Sequence, residues 1–167
     1  MSGKTIFVTV GTTKFDNLIT TVTNNEILKI LNKMGYNNLV LQIGNTCLDP
    51  DCTARCGFDK IESFHLSSSL DKYISSADLI ISHAGAGSCL EALEAKKPLI
   101  VVTNESLMDN HQIELAEQLY KDGYLYYCTC NTLLKTLQTT NLSKLKPFIY
   151  TKSKEIAAEI DKFMGFS

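Results

Sequence analysis

The sequence predicts a doubly wound α/β domain, a Rossmann-like fold with a mostly parallel sheet of about six strands. Three observations carry this. Short apolar, β-branched runs recur along the chain, and each is followed by a segment of helical periodicity. The runs are apolar almost throughout rather than alternating, as in strands covered on both faces. Two of them end in glycine-bearing turns, Val10-Gly11-Thr12-Thr13 and His83-Ala84-Gly85-Ala86-Gly87, that feed helices.

Taken in order, Thr5–Val10 reads as the first strand. Asn17–Met34 reads as one long helix, with Leu18, Val22, Ile27, Ile30, Leu31 and Met34 on one face. Asn38–Ile43 and Asp59–Phe64 are strands separated by an irregular insertion, Cys47–Gly57, expected to be a mobile surface loop. Ser69–Ser76 is a short helix with a serine-rich start. Leu79–Ser82 is a strand, and Ser88–Ala95 is the helix after the glycine turn. Pro98 ends that helix and opens the strand Leu99–Thr103. Asn110–Asp122, Tyr124–Cys128 and Thr132–Thr139 follow as helix, strand and helix. The last element is a C-terminal helix over residues 152–165, with Ile156, Ile160, Phe163 and Met164 on one face. That face packs on the sheet or docks on a partner.

The chain has 167 residues, enough for one domain, taken as 1–167, with a full core. Its 44% hydrophobic and 20% charged residues are ordinary for a globular protein. A net charge of −2 argues against nucleic acid as a partner. No apolar run approaches the roughly 20 residues of a membrane span. Met1-Ser2-Gly3-Lys4 leads directly into a strand without a secretory signal, so a cytosolic location is expected. Six cysteines are present. None has the C-x2-C spacing of a zinc site, and Cys128-Thr129-Cys130 stands alone, so free thiols and no metal are expected.

The most informative stretch is Leu79–Glu91. An apolar strand meets a glycine turn, and the turn opens a helix whose free N–H groups and positive dipole end point at an anion. Gly85 and Gly87 let the backbone approach a ligand closely. Glu91 falls one turn into the helix, where its carboxylate can accept hydrogen bonds from sugar hydroxyls. The segment suits a phosphorylated sugar or a nucleotide. His83, at the strand end, is a candidate base or phosphate donor; a hydrogen-bonded structural histidine is the plainer alternative. Ser82 and Ser88 read as cap or turn groups, because no G-x-S-x-G surrounds them.

Gly11, Thr12 and Thr13 offer hydroxyls and N–H groups to a phosphate, or else form an ordinary threonine-capped turn. Asn110 and Gln112 lie in a polar segment that follows the fifth strand. Gln112 would face the cleft, while Asp109, Asn110 and His111 can also be a capping network. Ser67 and Leu70 follow the third strand, where backbone groups and an apolar side chain could meet a base. In sheets of this kind ligands bind outside the carboxyl ends of the strands, so all these motifs can share one cleft. The G-x-G-x-x-G fingerprint and a ribose-binding acid after the second strand are both missing, which counts against a dinucleotide oxidoreductase.

Phe7–Thr13, Ile81–Glu91 and Asn110–Ala116, in that order, closely resemble a eukaryotic glycosyltransferase family. It comprises the catalytic, UDP-N-acetylglucosamine-binding subunits of the transferase that adds the second N-acetylglucosamine to dolichol diphosphate. The resemblance runs over about residues 4 to 165. The family is similar to the C-terminal half of the bacterial peptidoglycan N-acetylglucosaminyltransferase, a two-domain GT-B enzyme. It implies that Gly11, Thr12 and Thr13 form one phosphate loop, and Gly85, Ala86, Gly87 and Ser88 the second phosphate-facing turn. Glu91 would hold the ribose, Gln112 the sugar, and Ser67 and Leu70 the uracil, with Asn110 a further substrate-binding candidate. It implies an inverting transfer to N-acetylglucosaminyl-diphosphodolichol with no cofactor or metal, His83 being the candidate catalytic residue in this chain. It also implies a membrane-anchored, acceptor-binding partner subunit that holds the chain at the cytosolic face of the endoplasmic reticulum. A non-catalytic sugar-nucleotide sensor or scaffold is the alternative reading.

Overall fold

The computed structural model describes residues 3–104 and 110–146. Six strands form one sheet: β1 (Lys4–Thr9), β2 (Tyr36–Gln42), β3 (Lys60–Phe64), β4 (Leu79–His83), β5 (Leu99–Thr103) and β6 (Tyr126–Thr129). Their order is β3-β2-β1-β4-β5-β6, and every neighbouring pair is parallel. This is the doubly wound order, with its switch point between β1 and β4, where the chain leaves the sheet centre in opposite directions. Among the described residues six α-helices cover the sheet: α1 (Asp16–Val22), α2 (Asn25–Lys33), α3 (Asp71–Ser76), α4 (Ala86–Glu94), α5 (Asn110–Lys121) and α6 (Leu133–Thr139).

The alternation of side chains along a strand sorts the core into two layers. Ile6, Val8, Leu39, Leu41, Ile81, Ile100 and Val102 face one side, where α1, α2 and α6 deliver Leu18, Ile19, Leu28, Leu31, Leu133 and Leu137. Phe7, Ile80, Leu99 and Val101 face the other, against Ile74 of α3, Cys89, Ala92 and Leu93 of α4, and Leu115, Ala116 and Leu119 of α5. Strands buried on both faces therefore read as continuous apolar runs.

Several expected boundaries move, each for a local reason. The long helix over Asn17–Met34 is two helices. Asn24 adopts an extended conformation (φ −66°, ψ 137°), and its side chain accepts the Glu26 N–H at 2.7 Å. An asparagine that caps competes with helix continuation. The break turns Ile19 and Leu28 inward beside the expected stripe, leaving Ile30 and Met34 half-covered. The helix after the glycine turn begins at Ala86 rather than Ser88, with Gly85 as its N-cap. The strand after α5 starts at Tyr126, because the Tyr124 N–H still bonds back to the Leu119 carbonyl of α5 at 3.0 Å.

The serine-rich start of α3 is not a serine N-cap. Leu70 holds that position without a side-chain cap, while Ser67 and Ser69 close small turns before it. The insertion Cys47–Gly57 is tied down rather than loose. Arg55 donates to Asn25 Oδ1 (2.9 Å) and to the carbonyls of Thr23 (2.7 Å), Asp51 (3.0 Å) and Thr53 (2.8 Å). Leu48, Cys52 and Cys56 pack on the core beneath it. The expected C-terminal helix over 152–165 lies outside the described residues.

Candidate functional site

At the switch point the ends of β1 and β4 lie side by side, Thr9 opposite Ser82. Beyond β1 the chain turns sharply: Gly11 has φ +63°, and the Thr13 N–H returns to the Val10 carbonyl at 3.3 Å. Thr13 also donates its hydroxyl to Val10 O at 2.7 Å, and its carbonyl receives the Asn45 N–H at 3.1 Å. Thr13 therefore braces the loop, while Thr12 is exposed at its tip. No threonine caps α1; its N-cap is Phe15.

Beyond β4, Gly85 (φ −80°, ψ 129°) is the N-cap of α4, and among the described residues no side chain caps that end. The first turn carries no acidic residue. Backbone donors and the positive end of the dipole are thus offered at the sheet crevice without a carboxylate in the helix's own first turn to neutralise them. Glu91 lies four residues after Gly87 and three after Ser88, so all three share a helix face. Glu91 is exposed, while Cys89, Ala92 and Leu93 bury the opposite face.

His83 joins the two loops. A Cβ placed on Gly11 would lie 2.8 Å from His83 Nε2, and one placed on Gly85 would lie 2.2 Å from His83 Cε1. The imidazole is therefore packed against both glycine backbones, closer than any side chain there would permit. Ser88 Oγ lies 3.5 Å from Nε2, and the His83 carbonyl accepts the Ser82 hydroxyl at 2.8 Å. Burial lowers the His83 pKa from 6.5 to about 4, so the ring is neutral at physiological pH.

The structure brings Gly11, His83, Gly85 and Ser88 together, with Glu91 one turn along α4. Ser67 and Leu70 stand apart: β2 and β1 separate the end of β3 from β4. Ser67 is exposed and bonded to the Ser69 carbonyl at 2.8 Å, and Leu70 packs half-buried on the α3 side of the core. Asn110 and Gln112 occupy the first turn of α5, after β5, the neighbour of β4. Their side chains, and those of Ala86 and Gly87, lie outside the described residues.

Sequence reasoning missed two contributors. Gly44 has φ +66°, and a Cβ there would lie 2.2 Å from the Thr13 carbonyl oxygen, so glycine is what lets the β2 loop brace the β1 loop. Its signal was a glycine directly after an apolar strand. The other is Gln42, buried at 3% exposure. Among the described residues the buried polar side chains are Thr9, Gln42, Thr46, Ser82 and Thr103. All but Thr46 sit at the carboxyl ends of four adjacent strands, where the apolar core gives way to a polar floor.

Grooves also lie elsewhere among the described residues. One of about 470 Å³ follows β6 past Tyr120, Tyr126 and Tyr127, and one of about 160 Å³ lies between Leu93, Pro98 and Tyr124. Among the described residues no three His, Cys, Asp or Glu side chains come together as a metal-binding group, and no helix is long and apolar enough to cross a membrane.

A six-stranded doubly wound parallel sheet with flanking helices and a glycine turn at its switch point defines the class: a Rossmann-like C-terminal half of GT-B type. The chain belongs to the glycosyltransferase family 28 C-terminal domain family, whose model matches residues 5–164. It is 52% identical over 130 residues to the mouse UDP-N-acetylglucosamine transferase subunit ALG13, covering 78% of this chain but 11% of that protein. The chain thus spans about a tenth of the length of the mouse and human relatives it matches. The Saccharomyces cerevisiae subunit of the same name is 34% identical over 181 residues, covering 87% of this chain and 88% of the yeast protein. The NMR solution structure of ALG13 superimposes with a TM-score of 0.72 at 29% identity, over 95% of this chain and 96% of that one. The crystal structure of Acinetobacter baumannii MurG gives a TM-score of 0.64 at 20% identity, over 96% of this chain and 46% of MurG, and shares the fold.

Proposed function

We propose that this chain is the donor-binding, catalytic subunit of an inverting N-acetylglucosaminyltransferase. The donor is UDP-N-acetylglucosamine and the acceptor N-acetylglucosaminyl-diphosphodolichol, which makes the reaction the second step of dolichol-linked oligosaccharide synthesis for N-glycosylation. The observation that carries the reading is the pairing of the uncapped α4 N-terminus with the Gly11 turn across His83. The names of the relatives supply the nucleotide sugar.

In this reading the diphosphate lies over the N–H groups of Gly85, Ala86, Gly87 and Ser88, with the Gly11-Thr12-Thr13 loop on its other side. Glu91 accepts hydrogen bonds from the ribose hydroxyls. Gln112 and Asn110 address the sugar, and Ser67 and Leu70 the uracil at the far end of the cleft. The acceptor hydroxyl oxygen attacks the anomeric carbon as its bond to the diphosphate breaks. UDP leaves with the electron pair, and the hydroxyl proton passes to a base. Helix α4 stabilises the charge that develops on the leaving diphosphate.

A histidine whose pKa burial holds near 4 is a weak base at neutral pH. His83 therefore serves better as a neutral hydrogen-bonding partner of the diphosphate, and the base is supplied with the acceptor. That division fits a membrane-anchored partner subunit that binds the lipid acceptor and recruits this chain to the cytosolic face of the endoplasmic reticulum. The segment 152–165, for which the sequence predicts a helix, is the element proposed to dock on it.

The test is a calorimetric or NMR titration of UDP-N-acetylglucosamine into the chain, with and without the partner, beside Glu91→Ala. Glu91 is exposed, so the variant should fold normally. Its donor affinity and its synthesis of the chitobiosyl lipid should each fall at least about tenfold, the loss expected for a charge-assisted hydrogen bond. An unchanged rate with intact partner binding would favour the non-catalytic scaffold or sensor.

A further inference from the structure

The polar floor beneath the crevice contains a directed hydrogen-bond chain. Thr9 and Gln42 are register partners on β1 and β2, each 3% exposed. Thr9 Oγ1 donates to Gln42 Oε1 at 2.5 Å and accepts the Gly11 N–H at 3.0 Å. The Gln42 carbonyl meanwhile receives the Val10 N–H at 3.2 Å. Gln42 thus holds the chain on both sides of the bend that starts the loop.

The chain has a consequence for what the loop offers a ligand. The Gly11 amide points inward and is spent on Thr9. Gly11 holds φ +63°, with its α-carbon against the His83 ring. The Gly11 carbonyl oxygen lies 3.1 Å from where a Cβ on Gly44 would stand, and Thr12 beyond it is exposed. A buried hydroxyl has little tolerance for a lost acceptor, so the direction of the whole chain is set by the Gln42 side-chain oxygen.

We propose that Gln42 is a positioning residue for the diphosphate of the donor. It acts through Thr9 and the Gly11 amide to fix the outward face of the Gly11-Thr12-Thr13 loop and the seat of His83. This rests on the donor-site reading above and adds a residue that touches no ligand.

The experiment compares UDP with uridine on the full chain by NMR titration, for the wild type, Gln42→Leu, Thr9→Val and Thr9→Ser. If the proposal holds, Gln42→Leu and Thr9→Val each weaken UDP about tenfold and leave uridine unchanged. The double variant is no weaker than either single one, because both break the same chain. Thr9→Ser, which keeps the hydroxyl, binds UDP like the wild type. Should Gln42→Leu fail to fold, Thr9→Val and its serine counterpart carry the same test. Equal losses for UDP and uridine, or none for either, overturn the proposal and leave the donor site standing. A wild-type chain that binds neither ligand overturns the donor-site reading, and this inference with it.

Discussion

Gly85→Ala is the substitution that separates backbone strain from contact at this site. Gly85 has φ −80° and ψ 129°, a conformation open to any residue, so alanine brings no backbone strain. The added methyl would lie 2.2 Å from His83 Cε1, 2.7 Å from Nε2 and 3.1 Å from Nδ1. The ring has to move, and Gly11 blocks it on the other side, where Nε2 already lies 2.8 Å from the Cβ position. Overpacking of this kind costs about 1–3 kcal/mol. Alanine at the N-cap in place of glycine adds about 0.5 kcal/mol. Urea unfolding of the full chain should therefore show a loss of about 2 kcal/mol. Removing the ring removes the clash. In a His83→Ala background the same Gly85→Ala change should cost only the N-cap contribution, a coupling of about 1–2 kcal/mol. Equal costs in the two backgrounds would refute the argument that His83 is wedged between the two glycines.

Two further outcomes follow from the buried titratable groups. Because the folded-state pKa of His83 is about 4 against 6.5, the unfolded chain binds its proton more tightly. The associated stability is complete above about pH 6.5 and is lost as pH falls through 4, by on the order of 3 kcal/mol. His83→Phe should flatten that part of the stability–pH profile in urea titrations between pH 4 and 7; an unchanged slope would mean the ring is not desolvated. Burial pushes the Cys89 and Cys128 thiols up to about 12, whereas Cys47 is exposed. Iodoacetamide at pH 8 should label Cys47 within minutes and leave Cys89 and Cys128 unmodified until the protein unfolds, as peptide mass spectrometry would read. Prompt native-state labelling of Cys89 would contradict the packing of α4 on the sheet.

Some of this architecture was legible because it is written in local chemistry. Apolar β-branched runs such as Ile6-Phe7-Val8 and Leu99-Ile100-Val101-Val102 can only be strands covered on both faces. Gly85 after such a run announced the turn and a helix beyond it, although the helix starts two residues ahead of the expected Ser88. The misplaced boundaries show the opposite case. Asn24 interrupts a stripe that is helical by period alone, because one side-chain oxygen captures an amide the helix would otherwise use. The ties of Arg55 to four oxygens from Thr23 to Thr53 hold a loop that composition alone makes look loose.

The amino-acid order by itself determined the strand and helix content, the parallel class and the glycine turns, since these follow from periodicity and backbone freedom within a few residues. It also marked Glu91, through its spacing from Gly87. Only the tertiary structure decided what lies between the turns. The order β3-β2-β1-β4-β5-β6 sets β1 beside β4 and so wedges His83 between Gly11 and Gly85, residues 74 positions apart in the chain. The pairing of β1 with β2 on its other side places Gln42 beside Thr9. A glutamine in an apolar strand carries no local sign of its role, because its partner is chosen by strand register, and register is a property of the assembled sheet.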